Sequence, residues 1–209
     1  MAERGVLTVV SGFAGSGKGT VVSELLSRYD NYALSISATT RSPREGEEEG
    51  VHYFFVSREK FEEMIENGDL LEHACYVSNY YGTPKSYVEK MLSEGKDVIL
   101  EIECQGAVSV KERFPDTLLI FIMPPEAQEI YNRLKKRGTE TEEVIMKRMQ
   151  RSFEEASYIE RYDYLVINDD LEACIGSIHG IIRSAHFKVD RCAEKIDNIK
   201  DGLKVFLDK

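Results

Sequence analysis

The chain has 209 residues, of which 42% are hydrophobic and 31% are charged, and its formal net charge is −10. This length suits one domain with a substantial core. The negative charge excludes a general nucleic-acid-binding surface, and no apolar run approaches the roughly 20 residues of a membrane-spanning helix.

The N-terminus, the cysteines and the histidines indicate the cellular location and the redox and metal chemistry to expect. The N-terminal residues MAER lack the apolar segment of a secretion signal, and the four cysteines are far apart in the sequence. The histidines show no spacing typical of a metal site. We therefore expect a cytoplasmic protein with neither a disulfide framework nor a zinc site.

A glycine-rich stretch follows the first apolar run. Residues 6–10 are mostly β-branched, residues 12–20 read GFAGSGKGT, and apolar pairs at helical spacing come next. This order predicts a buried strand, a tight loop and a helix. Backbone N–H groups of such a loop bind phosphate oxygens, and Lys18 adds a mobile cation. The stretch therefore predicts a nucleoside-triphosphate site rather than a flexible glycine linker.

The glycine stretch departs from the pattern G-x-x-x-x-G-K-[ST] at one position. Gly19 separates Lys18 from Thr20, so the hydroxyl follows one residue late. Thr20 begins the predicted helix and can still offer its hydroxyl to Mg²⁺.

The region after the second predicted strand, residues 32–37, is different in character. Residues 38–50 are charged and broken by proline and glycine, which predicts a loop. Arg41 and Arg44 lie three apart in this loop, so their guanidinium groups can bind one phosphate. Short strands are predicted at 51–56, 70–77 and 80–84, with a helix capped by Ser57 after the first. Residues 38–88 therefore resemble a small β-rich insertion.

A helix is predicted at 86–91, and an apolar strand with carboxylates at its end follows at 97–103. Glu101 and Glu103 are two apart, so they share one face of an extended strand. Ligands of open parallel sheets gather at the carboxyl ends of the strands, although a strand edge with solvated acids is the alternative.

The second half continues the alternation of helix and strand. Helices are predicted at 105–113 and 125–134, strands at 117–123 and 164–167, and a helical region from 171 onward. Thr139 and Glu142 predict a capping box for a further helix after Gly138. This order predicts an α/β fold with a doubly wound parallel sheet.

Two further patterns concern charge and the C-terminal tail. Basic residues cluster in the helical hairpin, at Arg133–Arg137 and at Lys147–Arg151, where they can meet anionic substrates. In the tail, residues 185–209, four apolar residues at helical spacing predict a helix that packs on the core, with a dimer contact as the alternative: Ile196, Ile199, Leu203 and Phe206. Monomer and homo-oligomer both stay open.

An ordered set of motifs resembles the guanylate kinase family from about Val6 to about Ile182. The motifs are SGFAGSGKGT at 11–20, SATTRSPR at 37–44, G-x-x-Y at 50–53, NYYGT at 79–83, EIECQG at 101–106, RLKKRGTETEE at 133–143 and VINDDL at 166–171. A phosphate loop alone is widespread, whereas this ordered set is specific.

The resemblance implies the fold and the reaction. It implies one guanylate-kinase-like domain, residues 1–209, of the P-loop NTPase type. The core would comprise 1–37, 89–125 and 158–209, an inserted β-rich GMP-binding lobe 38–88, and a helical lid 126–157. It also implies ATP and GMP or dGMP as substrates, ADP and GDP or dGDP as products, and Mg²⁺ as the metal, with no nucleic acid or membrane partner.

The resemblance also implies roles for particular residues. ATP would be bound by Gly12, Gly15, Ser16, Gly17, Lys18, Gly19, Thr20 and Asn168, the last near the adenine end. The GMP phosphate would be held by Arg41, Arg44, Tyr53 and Tyr81, and guanine would face Ser37, Glu72, Thr83 and Glu103. Lys18, Arg137 and Arg148 would be catalytic, and Thr20 and Glu101 would hold the metal.

The sequence departs from the family pattern where Glu101 and Glu103 replace the usual aspartates, which lengthens each carboxylate arm by one methylene. Phe13 stands where proline or a small residue is usual. Two rival functions are a non-catalytic guanylate-kinase-like interaction domain and a kinase for another nucleoside monophosphate. The retained Gly17-Lys18, Arg137 and Arg148 oppose the first, and the guanine-facing set opposes the second.

Overall fold

A computed structural model describes residues 3–76, 78–136, 138 and 140–207. Val77, Arg137 and Thr139, which belong to predicted features, lie outside these residues. The strands are β1 (Leu7–Gly12), β2 (Tyr32–Leu34), β3 (Ala38–Thr39), β4 (Phe54–Phe55), β5 (Leu70–Tyr76), β6 (Asn79–Pro84), β7 (Asp97–Glu101), β8 (Leu118–Met123) and β9 (Tyr164–Ile167). The helices are α1 (Lys18–Arg28), α2 (Arg58–Glu66), α3 (Lys85–Ser93), α4 (Cys104–Arg113), α5 (Ala127–Lys136), α6 (Glu142–Ala156), α7 (Leu171–Ala185) and α8 (Ala193–Leu207).

The central sheet has five parallel strands in the order β2-β7-β1-β8-β9. Its first strand, β1, lies in the middle, and each crossover between its strands contains at least one helix. Such connections place helices on both faces of a parallel sheet. The predicted doubly wound α/β fold is confirmed.

Neighbouring residues of β1 belong to two different apolar cores. Val10 packs in a cluster with Leu25 of α1 and Ile178 of α7, whereas Val9 packs in a cluster with Val110 of α4. Because successive side chains of a strand point to opposite faces, the sheet is buried on both sides. This rigid frame fixes the loop that follows β1.

A second sheet has four strands in the order β4-β3-β6-β5, and all of them come from residues 38–84. Helix α2 packs on it through Phe61, which is fully buried. The N-terminus of α2 is capped as predicted, because the Ser57 hydroxyl accepts a hydrogen bond from the Lys60 backbone N–H at 3.2 Å.

Two predictions for this region were wrong in extent. Residues 38–50 are not loop throughout, because Ala38 and Thr39 form β3 and pair with β4 and β6. The strand predicted at 51–56 is reduced to Phe54 and Phe55. Strands of two residues have too few side chains to leave an alternating pattern in the sequence.

The predicted capping box of α6 was also wrong. The helix begins at Glu142 and its N-cap residue is Thr141, so Glu142 occupies the first helical position instead of the third. Thr139 lies outside the described residues. In the capping box, the glutamate must reach back from the third helical position.

The predicted burial of the C-terminal helix was wrong as well. Ile199, Leu203 and Phe206 of α8 have exposed fractions of 67%, 56% and 76%. Lys195 of α8 forms an ion pair with Glu3 near the N-terminus. Within the described part of the chain, no helix is both long enough and apolar enough to span a membrane.

Candidate active site

The loop between β1 and α1 has the backbone geometry that the glycine stretch predicts. Gly17 has φ 85°, in the left-handed region, and a Cβ atom there would lie 2.5 Å from Nδ2 of Asn168. Only glycine fits both conditions. The first backbone hydrogen bond of α1 runs from the Val21 N–H to the Gly17 carbonyl at 3.0 Å. The preceding N–H groups of the helix have no intrahelical acceptor and can bind an anion.

Hydrogen bonds to the Ser16 carbonyl hold the loop in place. This oxygen accepts hydrogen bonds from Asn168 Nδ2 at 2.7 Å and from Arg133 Nη1 at 3.4 Å. Arg133 Nη2 also donates to the Asn168 carbonyl at 3.0 Å. Asn168 therefore supports the phosphate loop directly, and Arg133 joins helix α5 to the same point.

A cavity of about 680 Å³ lies over the loop. Its lining includes the predicted loop residues Gly12, Gly15, Ser16, Gly17, Lys18, Gly19 and Thr20, together with Glu101, Glu103 and Arg148. The Ser16 hydroxyl is buried and has no hydrogen-bond partner among the described residues. An unpaired buried hydroxyl beside unpaired N–H groups fits a ligand rich in acceptor oxygens, such as a polyphosphate.

The predicted metal ligands meet at one end of this cavity. Glu101 is the last residue of β7 and pairs in register with Val10 of β1. Its Oε1 atom lies 3.6 Å from the position that a Cβ of Gly19 would take, so the carboxylate faces the first turn of α1 near Thr20. One carboxylate and one hydroxyl suit Mg²⁺, which prefers oxygen ligands and keeps several waters.

A second cavity, of about 550 Å³, adjoins the first and shares Glu101, Glu103 and Arg148 with it. Besides Glu103, its lining includes four of the residues predicted to face GMP: Ser37, Tyr53, Glu72 and Tyr81. Thr83 lines a neighbouring cavity of about 350 Å³ together with Ser37 and Tyr53. The structure thus brings most of the predicted ATP and GMP residues to adjoining cavities, whereas Asn168, Arg41 and Arg44 do not line these three cavities.

Glu72 is a buried carboxylate on β5, with an exposed fraction of 8%. Its Oε1 atom accepts a hydrogen bond from the Thr83 hydroxyl on β6 at 2.7 Å. Burial raises the pKa of Glu72, and the hydrogen bonds from Thr83 oppose that shift. Its Oε2 atom lies 3.3 Å from where a Cβ of Gly106 would stand, so glycine at this position of α4 leaves room for the carboxylate. A buried carboxylate with few partners is available to accept hydrogen bonds from a ligand.

The predicted phosphate-binding arginines contact Glu47, which the sequence did not single out. Arg41 Nη2 donates to Glu47 Oε1 at 2.8 Å, and the backbone N–H of Arg44 donates to Oε2 at 2.7 Å. The hydrogen bond from Arg41, followed by the one from Arg44, lowers the pKa of Glu47 to about 2. The Arg44 residue itself is exposed. Glu47 therefore holds Arg41 as an anionic phosphate oxygen would.

The tyrosines predicted to bind the same phosphate lie beside Arg41. Its guanidinium carbon is 5.4 Å from the centre of the Tyr53 ring, and the Tyr53 and Tyr81 rings are 6.1 Å apart. The Arg41 guanidinium therefore lies beside two tyrosines that line the second cavity.

Helices α5 and α6 pack on the phosphate loop through Phe13. This side chain joins the apolar cluster of Leu134 and Ile145, and its ring lies 4.9 Å from that of Phe121. The unusual Phe13 therefore connects the loop to both helices and to β8. Arg148 of α6 is paired with Glu140 at 2.5 Å, and Arg137 lies outside the described residues.

Glu103 does not lie on the strand where the sequence put it. Strand β7 ends at Glu101, and Glu103 is the N-cap residue of α4 with φ −73° and ψ 160°. The prediction that Glu101 and Glu103 share one strand face was therefore wrong. The turn between β7 and α4 instead directs Glu103 to the boundary of the two cavities.

Comparison with known proteins agrees with this geometry. The family model described as guanylate kinase matches residues 4–185. The chain belongs to the guanylate kinase family. A guanylate kinase of Halalkalibacterium halodurans is 54% identical over 92% of this chain and 95% of its own length. One of Clostridium tetani is 49% identical over 96% of each chain.

A solved structure shares the fold. The crystal structure of guanylate kinase from Anaplasma phagocytophilum has 35% identity and a TM-score of 0.70, covering 91% of this chain and 90% of its own. With its parallel sheet and phosphate loop, this guanylate kinase fold is of the P-loop NTPase type.

Several residues that contact the site were not assigned a role from the sequence. Arg133 and Arg151 stood out only as members of basic clusters, and Glu47, Glu140 and Glu155 had no assigned role. A signal existed for Glu155, because it follows Arg151 by four residues on a predicted helix. The partners of the other residues come from elsewhere in the chain or from irregular segments.

Proposed function

We propose that the protein transfers the γ-phosphoryl group of ATP to GMP, giving ADP and GDP, and that it accepts dGMP in the same way. The observation that carries this proposal is the buried Glu72 carboxylate. It lines a cavity that shares Glu101 and Glu103 with the cavity over the phosphate loop. Two adjoining cavities suit a donor and an acceptor nucleotide.

The chemistry of the base favours guanine. Its N1–H and 2-amino groups are adjacent donors, and a carboxylate accepts both at once. Adenine has an acceptor at N1, which would face the buried Glu72 carboxylate and leave it unpaired. We assign to Ser37 a hydrogen bond to one of the remaining acceptors of guanine, and to Glu103 a share of the 2-amino group. The Thr83 hydroxyl donates its one hydrogen to Glu72 in this structure, and we propose that it turns to a guanine acceptor once N1–H and the 2-amino group bind the carboxylate.

Phosphoryl transfer requires alignment and positive charge rather than a strong base. Lys18 and the N-terminus of α1 bind the outer phosphates of ATP in this proposal. Arg137 and Arg148 stabilise the charge of the transferred group from the lid. Arg41, Arg44, Tyr53 and Tyr81 hold the phosphate of GMP, so that its oxygen lies in line with the γ-phosphorus.

Thr20 and Glu101 would hold Mg²⁺ at the loop end of the donor cavity. When bound, Mg²⁺ neutralises part of the phosphate charge. We propose that Glu101 contacts the metal through water, because Mg²⁺ keeps several of its waters and needs few carboxylates.

We propose that the domain consists of a core, a GMP-binding lobe at 38–88 and a lid at 126–157. Closure of the lobe and the lid over both substrates would exclude water, which otherwise competes for the phosphoryl group. We place this reaction in the cytoplasm.

An assay of ADP release tests the function. The purified protein, with ATP and Mg²⁺, is given GMP, dGMP, AMP, CMP or UMP in turn. We expect GMP to be the best acceptor, followed by dGMP, with AMP, CMP and UMP far weaker. A preference for another base, or no transfer to any of the five, would contradict the proposal.

A further inference from the structure

One arginine of the lid bridges two carboxylates at the boundary of the cavities. Arg151 lies near the end of α6, and its Nη2 atom is 3.1 Å from Glu103 Oε2. Its Nε atom is 3.0 Å from Oε1 of Glu155, four residues later on the same helix. The guanidinium fork therefore joins the lid helix to the N-cap residue of α4.

Glu155 anchors this bridge because it is the least exposed of the three. Its side chain has an exposed fraction of 13%, against 54% for Arg151 and 64% for Glu103. Burial raises the pKa of Glu155, and the neighbouring Glu103 carboxylate raises it further, whereas Arg151 opposes both effects. The Arg151 guanidinium lies between the two carboxylates and offers a hydrogen bond to each of them.

Glu103 needs such a partner, because its own helix does not orient it. It occupies the N-cap position of α4, but its side chain makes no capping hydrogen bond. Arg151 supplies the contact that a capping N–H would otherwise give. An ionised carboxylate has about four lone-pair positions, so the ion pair leaves acceptor capacity for a ligand.

We propose that Arg151, anchored by Glu155, is a positioning residue that directs Glu103 toward the 2-amino group of the acceptor base. This inference rests on the proposed function. Arg151 and Glu155 would then increase the preference for guanine, because a base without the 2-amino group forms no hydrogen bond with a correctly placed Glu103.

Inosine monophosphate is the matching probe, since it has the N1–H of guanine and lacks the 2-amino group. Arg151→Gln is expected to raise KM for GMP about fivefold and to lower the GMP-to-IMP ratio of kcat/KM by a similar factor, within the range for residues of one ion-pair network. KM for ATP is expected to change by less than about twofold. Arg151→Lys should fall between Arg151→Gln and the wild type, because a point charge cannot bridge both carboxylates as the guanidinium fork does.

Two further comparisons separate positioning from other roles. Glu155→Gln should reproduce part of the Arg151→Gln effect, whereas Glu154→Gln, the same change at the exposed neighbouring residue, should leave every constant unchanged. In the Glu103→Gln background, Arg151→Gln should have no further effect on KM for GMP. Thermal denaturation of each variant verifies that it is folded.

The inference is overturned if Arg151→Gln keeps the wild-type KM for GMP and the wild-type GMP-to-IMP ratio. It is also overturned if KM for ATP rises as much as KM for GMP, since Arg151 also lines the cavity over the phosphate loop and would then contact ATP. An undiminished effect of Arg151→Gln in the Glu103→Gln background would exclude action through Glu103. All three results require a wild type that phosphorylates GMP, so failure of the proposed function is recognised separately.

Discussion

The two sides of the candidate active site offer different chemical groups to a ligand. The donor side rests on the buried parallel sheet, and its phosphate loop offers mainly backbone groups, fixed by Gly17 and by the hydrogen bonds to the Ser16 carbonyl. The acceptor side rests on short strands of the second sheet, and it offers side chains such as Arg41 and Glu72.

This difference determines what each substrate must displace. Cationic side chains on the acceptor side and on helix α6 are already paired with carboxylates of the protein: Arg41 with Glu47, Arg148 with Glu140 and Arg151 with Glu103. A phosphate group that binds one of these cations must take the place of the carboxylate on it, because both are anionic acceptors of the same hydrogen bonds. The phosphate loop requires no exchange of this kind, because its donors already face the cavity.

The largest effect is expected on the donor side. Lys18→Ala removes the one mobile cation of the loop, and we expect turnover to fall at least about 1000-fold, since positive charge at the phosphates acts mainly in the transition state. Steady-state kinetics with saturating ATP and GMP measure this loss.

The matched control is Lys60→Ala on α2, which removes an exposed lysine paired with Glu63. It should keep wild-type turnover, and both variants should keep the wild-type Tm. Wild-type turnover in Lys18→Ala would remove the loop from the reaction.

On the acceptor side, Glu72→Gln is expected to lower kcat/KM for GMP about 100-fold, because an amide cannot accept from N1–H and the 2-amino group together. The advantage of GMP over AMP should narrow, while KM for ATP stays unchanged. Should the variant keep the full preference for GMP, the base is recognised elsewhere.

A backbone change on the donor side should have a smaller effect. Gly17→Ala places a Cβ 2.5 Å from the Asn168 amide at a left-handed φ, so we expect kcat/KM for ATP to fall about tenfold. Gly68→Ala has the same kind of φ, at 70°, and nothing within 4 Å of the new Cβ.

Both glycine variants should lose about 1–2 kcal/mol of stability from the left-handed strain. Only Gly17→Ala should impair the use of ATP. Equal kinetics for the two variants would show that the loop tolerates displacement, contrary to a preformed donor side.

The smallest effect concerns stability and pH. Because burial raises the folded-state pKa of Glu72, ionisation of this residue opposes folding above that pKa. Glu72→Gln removes the buried charge, and we expect its Tm at pH 7 to exceed that of the wild type by about 2–4 °C for each 1 kcal/mol gained.

The sign of the pH dependence follows from linkage. The folded protein binds this proton more tightly than the unfolded chain, so the wild type recovers the lost stability as the pH falls from above the raised pKa towards 4.5. The gap in Tm between variant and wild type should therefore shrink on acidification. A gap that widens in acid would contradict a raised pKa for Glu72.

The sequence predicted the donor side better than the acceptor side. A strand, glycines, Lys18 and a helix are contiguous along the chain, so their local pattern determines the geometry of the loop. The apolar strands β7 and β8 were also predicted, because burial on both faces gives continuous apolar runs. The edge strand β9 was predicted from its apolar residues as well, although only Val166 of this strand is buried.

The acceptor side depends on contacts between distant segments, which a single sequence does not reveal. Glu103 lies outside the strand predicted for it, because β7 ends two residues earlier. Its contact with Arg151 joins residues that are 48 positions apart in the sequence. The two-residue strand β3 exists only through its pairing with β4 and β6. The roles of these side chains came from resemblance to the guanylate kinase family rather than from local pattern.

The central claim is that the donor side is preformed and that the acceptor side rearranges around its substrate. Small-angle scattering of the wild type, with GMP alone and with a non-hydrolysable ATP analogue alone, tests it most directly. We predict that GMP alone lowers the radius of gyration, that the ATP analogue alone leaves it almost unchanged, and that both together give the smallest value. Compaction by the ATP analogue alone with none by GMP would contradict the claim.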